Sequence, residues 1–181
     1  MADNTLNTDV AKQLNITARR NDTFQMQLEI RDSNNSLIDF SATADTGKRV
    51  YQAKMTIANT GGDKILSLYT EYWRDTAESG TTTDPDGTGT GNYSHPSDVA
   101  PETTSQGHYT GSTANPSIKL HAQTTSGKAL ISVPYSYMDF QAGTYNYDLQ
   151  IRKKESASSA VEYTTWLYGT FTLKSDITKL G

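Results

Sequence analysis

The chain has 181 residues, no cysteine, 34% hydrophobic residues and a formal net charge of -4. That length suits one domain with its own core, and the lack of cysteine excludes disulfide scaffolds and thiolate metal sites. A mildly acidic chain without a clustered basic face argues against nucleic acid as a partner, and no apolar run approaches a membrane span.

The polar excess is Thr, Ser, Asn and Gly rather than charge, unlike a charged disordered tail. Met1 to Val10 is polar and carries Asp3 and Asp9. No secretory leader is expected there. Residues 1–13 read as an extended N-terminal arm, with either a short helical turn or extended chain over Val10 to Ile16.

The dominant period after that is two, the period of a half-buried strand. Phe24, Met26, Leu28 and Ile30 alternate with Gln25, Gln27, Glu29 and Arg31. Asp32 to Asn35 is a turn cluster whose side chains can bond their own backbone, and Leu37, Ile38 and Phe40 are expected as a short return strand. Tyr51, Ala53, Met55 and Ile57 alternate next. Asn59 to Asp63 breaks the pattern with residues that accept positive φ, and Ile65, Leu66 and Leu68 return as the second half of a hairpin. A strand near Ser117 to Ala122, a turn over Thr124 to Gly127 and a strand from Ala129 to Val133 follow. Pro134 ends that strand, and Tyr135 to Phe140 reads as a corner or a single helical turn. Gly143 opens the clearest strand, with Tyr145, Tyr147, Leu149 and Ile151 on one face. After a polar loop over Lys153 to Ser159, Val161, Tyr163, Thr165 and Leu167 are expected to share one face, with Trp166 and Tyr168 on the other. Gly169 marks a bulge or a close approach. Phe171 and Leu173 finish the strand.

About eight to nine short strands separated by turn signals, with no amphipathic helix, predict an all-β antiparallel sandwich, immunoglobulin-like or jelly-roll-like. The predicted core face combines Phe24, Met26, Leu28 and Ile30 with Tyr145, Tyr147, Leu149 and Ile151. Residues 1–13 form the arm, 14–176 the sandwich and 177–181 a C-terminal tail. From Arg74 to about Pro116 apolar periodicity disappears in a stretch rich in Thr, Gly, Asp and Pro. This reads as a long polar insertion in a hairpin. Such a segment is too polar to fold on itself, so neighbouring subunits are expected to order it.

Residues that could carry chemistry are scattered. His95, His108 and His121 lack any closely spaced ligand pattern. Asp84, Asp86 and Asn92 surround Gly87 loosely like calcium ligands, but the distal glutamate of a calcium loop is missing. Gly87, Gly89 and Gly91 lack the strand and helix that a phosphate cradle needs, and no nucleophile elbow occurs. The expectation is therefore no enzyme, no catalytic, cofactor-binding or metal-binding residue, and no cofactor. Aromatic residues are the better candidates, because Tyr and Trp are favoured at interfaces. Tyr69, Tyr72 and Trp73 border the insertion, Tyr93 and Tyr109 lie within it, and Tyr135 and Tyr137 mark the corner. These seven form the candidate interface.

Two stretches carry a resemblance. Arg20-Asn21-Asp22-Thr23-Phe24, Leu28 to Ser33 and Leu37 to Phe40 form the first. Ala142 to Ile151, Gly169 to Leu173 and Asp176-Ile177-Thr178 form the second. Together they resemble a β-sandwich domain of tailed-phage virion proteins, best known as the N-terminal domain of the upper baseplate protein family. The insertion, the N-terminal arm and the absence of a downstream stalk after Gly181 depart from that pattern. The resemblance implies no active-site residue. It implies a role in building or decorating a particle: a tail, baseplate or neck adaptor, or a head decoration. The implied partners are other virion proteins in a multi-copy or homo-oligomeric assembly, without nucleic acid or membrane. The implied location is the virion, after synthesis in the host cytoplasm. The alternative is a carbohydrate-binding module for host attachment, with a host glycan on the Tyr69, Tyr72 and Trp73 rings.

Overall fold

The computed structural model describes residues 4–7, 11–40, 50–70, 106–108, 116–120, 127–153, 155, 160 and 162–176. Within them the chain is all-β. The strands are β1 (Asn4–Asn7), β2 (Lys12–Gln13), β3 (Ile16–Arg19), β4 (Phe24–Arg31), β5 (Tyr51–Ala58), β6 (Lys64–Tyr69), β7 (Gln106–His108), β8 (Ser117–Leu120), β9 (Lys128–Val133), β10 (Gly143–Lys153) and β11 (Glu162–Lys174). The smaller sheet runs β1-β4-β9-β8. The larger runs β2-β11-β10-β5-β6-β7, with β3 also pairing β11. Among the described residues a 3-10 turn spans Tyr135–Tyr137, at the predicted corner.

Alternation explains why these segments are strands and how they face. Met26, Leu28 and Ile30 of β4 are buried, as are Tyr145, Tyr147, Leu149 and Ile151 of β10, while Phe24 is half-buried. Leu28, Ile131 and Val133 of the smaller sheet join Met55, Ile57, Leu149 and Phe171 of the larger in one core. Phe24 meets Phe171 edge-on across the two sheets, with ring centroids 5.4 Å apart. Burying each such side chain contributes roughly 1.5–3 kcal/mol, which is why the inward set dictates the register.

The turns use the predicted chemistry. Asp32 Oδ1 accepts from the Asn34 and Ser36 amides at 3.0 and 2.8 Å, and Asn35 takes a φ of 61°. Asn59 Oδ1 accepts from the Asp63 amide at 2.9 Å, and Gly62 supplies a φ of 92°. Gly169 is a close approach: a Cβ there would lie 2.2 Å from the Leu14 carbonyl oxygen.

Three expectations need correction. The first concerns β11. Leu149 pairs with Leu167 but Gln150 pairs with Thr165, so Trp166 is an extra residue in the ladder. This bulge puts both Trp166 and Leu167 in the core and leaves Tyr163 exposed. The expected face of Val161, Tyr163, Thr165 and Leu167 is thus not kept, because a one-residue bulge inverts every side chain on one side of it. Val161 itself lies outside the described residues. Second, Leu37 to Phe40 is no strand. Among the described residues it makes a bridge between Leu37 and Arg31 and two backbone hydrogen bonds at Ile38, to Ile30 and from Gly127, while Ile38 and Phe40 bury their side chains.

Third, the antiparallel centre is flanked by parallel pairs at the sheet edges. β1 runs parallel to β4, β2 and β3 parallel to β11, and β7 parallel to β6. The predicted arm is extended where described, and it crosses from one sheet to the other, occupying an edge of each. Edge positions accept parallel partners because only one side of the added strand must be hydrogen-bonded. Of the predicted insertion, only β7 and Pro116 lie among the described residues.

Candidate functional site

Among the described residues, the bulge at Trp166 shapes an end of the sandwich that carries a concave surface with convergent charged groups. Three neighbouring strands contribute a single row: Lys153 of β10 pairs with Tyr51 of β5 on one side and with Glu162 of β11 on the other. The next row inward pairs Ile151 with Thr164. Because the bulge restores the inward set, Glu162, Thr164 and Trp166 point the same way as Ile151 and Lys153. Ile38 and Asp32, from the segment after β4, close the other side. The result is a cleft of about 300 Å³ with Ile38, Ile151 and Trp166 inside and Asp32, Tyr51, Lys153, Glu162 and Thr164 around it.

Its back wall is aromatic. Phe40 stands edge-on to Tyr51 at 5.7 Å and tilts against Trp166 at 6.2 Å. Burial, ahead of the opposing pull of Lys153, raises the Tyr51 phenol above its ordinary value, and Glu155, Asp32 and Glu162 add to the rise. It stays a neutral hydroxyl at neutral pH. Lys153 Nζ lies 2.5 Å from Glu155 Oε1. That hydrogen bond is the main reason its ammonium is held charged beyond the ordinary lysine range. Lys153 therefore presents a charged ammonium to the cleft at neutral pH. No group of three or more metal-ligating residues forms among the described residues.

No protein-family model matches the chain, and no curated protein matches it.

The residues singled out in the sequence have separate fates. Tyr69 is 6% exposed, on the outer face of β6, with Lys54 Nζ 5.7 Å from its ring centroid. It is no open stacking platform. Its outer-face neighbours Gln52, Ser67 and Arg152 are buried as well, and Arg152 Nη1 donates to Gln52 Oε1 at 2.9 Å. Tyr135 is 64% exposed at the start of the 3-10 turn, and Tyr137 packs half-buried against the core. Tyr72, Trp73, Tyr93, Tyr109, His95, His121, Asp84, Asp86 and Asn92 lie outside the described residues. His108 is in β7, paired with Tyr69.

Sequence reasoning missed both the cleft and a pair of exposed rings. Tyr163 and Tyr168 are 41% and 44% exposed. They stand opposite Arg152 and Asp148, on the outer face of the larger sheet. A sequence signal did exist. Trp166-Leu167 is an adjacent pair of large apolar residues inside an alternating run, and a bulge is the means by which both reach one core.

Proposed function

We propose that the chain is a structural protein of a tailed-phage virion, present in many copies and acting through protein–protein contacts. The sites that fit are a tail or baseplate, a neck adaptor, or a head decoration. The observation that carries the reading is the outer surface of the rigid sandwich. Tyr163 and Tyr168 stand exposed on the longest strand, whose intervening and following outward residues are threonines, and Tyr135 stands exposed at the corner. Amphipathic rings on a rigid element give contact area at low entropic cost, which is what recurring interfaces use. The resemblance supports the same reading, and its stretches Leu28 to Arg31, Gly143 to Ile151 and Gly169 to Leu173 lie in β4, β10 and β11.

The test is quantitative mass spectrometry of purified virions. Hundreds of copies per particle would make it a capsid component, and roughly six to a few tens a tail or neck component, following the point-group symmetry of such assemblies. Absence from particles overturns the proposal. The double variant Tyr163→Ser, Tyr168→Ser is expected to fold normally and to co-sediment poorly with particles that lack the protein. Saturable binding on a glycan array, combined with absence from particles, would favour the carbohydrate-binding alternative.

A further inference from the structure

We infer that the cleft between β5, β10 and β11 is a socket for one arginine side chain of a partner protein. The inference rests on the proposed assembly role and names the chemistry of one contact within it.

Three features of the cleft select this occupant. The first is charge. Among the described residues that line it, Asp32 and Glu162 set two carboxylates against the ammonium of Lys153. Glu155 Oε1 lies 2.5 Å from the Lys153 ammonium and offsets much of its charge, so that among the described residues Asp32 and Glu162 leave the cleft negative. Asp32 Oδ1 is used by the turn amides of Asn34 and Ser36, which leaves Oδ2 for an incoming donor. Glu162 is solvent-exposed at the mouth.

The second is the wall. Phe40, Tyr51 and Trp166 form a contiguous aromatic surface behind the carboxylates. A cation seated there is paired in a medium of lowered dielectric and can lie against the Tyr51 ring. A guanidinium is less strongly hydrated than an ammonium, and its planar fork can donate to two carboxylates at once. A neutral sugar fits less well, because Trp166 is 3% exposed and offers no open stacking face.

The third is size. A volume of about 300 Å³ stands at the lower limit of small-molecule pockets. It holds one side chain and not an extended ligand.

The experiment titrates the full chain with N-acetyl-arginine amide while the indole N–H signal of Trp166 is followed by NMR, assigned with the Trp73→Phe variant. Controls are N-acetyl-citrulline amide, which has the same shape without the charge, and glucose. Saturable shifts with the arginine probe are expected, with citrulline at least tenfold weaker. Glu162→Gln should weaken the arginine probe roughly tenfold, the effect of losing one charge-assisted hydrogen bond, with thermal unfolding unchanged. Equal binding of citrulline, saturable shifts with glucose alone, no saturable shift with arginine, or an unaffected Glu162→Gln variant each overturn the socket. Co-sedimentation with particles separates this from the wider reading. A protein that incorporates but binds no guanidinium refutes the socket alone. A protein that binds the probe but never incorporates refutes the assembly role.

Discussion

Gly169→Ala tests the packing of the N-terminal segment against the final strand. An added Cβ would sit 2.2 Å from the Leu14 carbonyl oxygen and 2.9 Å from its carbon, more than about 1 Å inside ordinary contact. Both atoms are backbone, so no rotamer change relieves the clash and the segment itself must move. Three hydrogen bonds converge there. The Leu14 amide donates to the Tyr168 carbonyl at 3.0 Å, the Tyr147 hydroxyl donates to the Leu14 carbonyl at 2.7 Å, and the Thr170 amide donates to Asn15 Oδ1 at 3.2 Å. At about 1 kcal/mol each their loss costs about 3 kcal/mol, and the stranded hydroxyl of buried Tyr147 adds to it. Gly143→Ala is the control, since the nearest atom to its new Cβ is 3.8 Å away. Its effect should stay within about 1 kcal/mol. Urea unfolding followed by the fluorescence of buried Trp166 reports both. A Gly169→Ala cost below about 1 kcal/mol, or one equal to that of Gly143→Ala, would refute the reasoning.

Leu149→Ala removes a fully buried side chain from the centre of β10 and should cost roughly 2–5 kcal/mol. Gln150→Ala, half-buried on the other face, should cost well under half of that, and equal costs in urea unfolding would contradict the register. Alkaline pH should destabilise the fold, because burial raises the Tyr147 phenol well above its ordinary value of 10.0 and raises Tyr51 too. The sign follows from the unfolded chain losing its protons first: stability is full below about pH 10 and falls above it by up to about 1.4 kcal/mol per pH unit for Tyr147, until the folded-state value is reached. Tyr147→Phe should be less stable at neutral pH and show a shallower alkaline fall, and an unchanged slope would count against this assignment. Replacing residues 79–104 with a short Gly-Ser linker should leave the sandwich folded, since closure depends weakly on loop length, and should abolish incorporation into particles. Normal co-sedimentation would sink that expectation.

Much of this architecture was legible in the linear order of residues. The alternation in Phe24 to Arg31, Tyr51 to Ile57 and Tyr145 to Ile151 is a local property. A period of two needs no partner to be read, so those core faces and the turns at Asp32 and Asn59 follow from the sequence alone. What the strands pair with is different, because pairing is settled by distant chain. The bulge at Trp166 exists only because Leu149 and Gln150 of β10 choose Leu167 and Thr165 as partners. That choice moves Trp166 into the core, turns Tyr163 outward and aligns Glu162 with Lys153. The N-terminal segment likewise reads as a polar arm until the open edges of β4 and β11 supply ladders for it. The cleft depends on the bulge and on strand pairing: its row joins Tyr51 of β5 to Lys153 of β10, about a hundred residues later, and to Glu162 of the following strand, and only the tertiary register brings the three side by side.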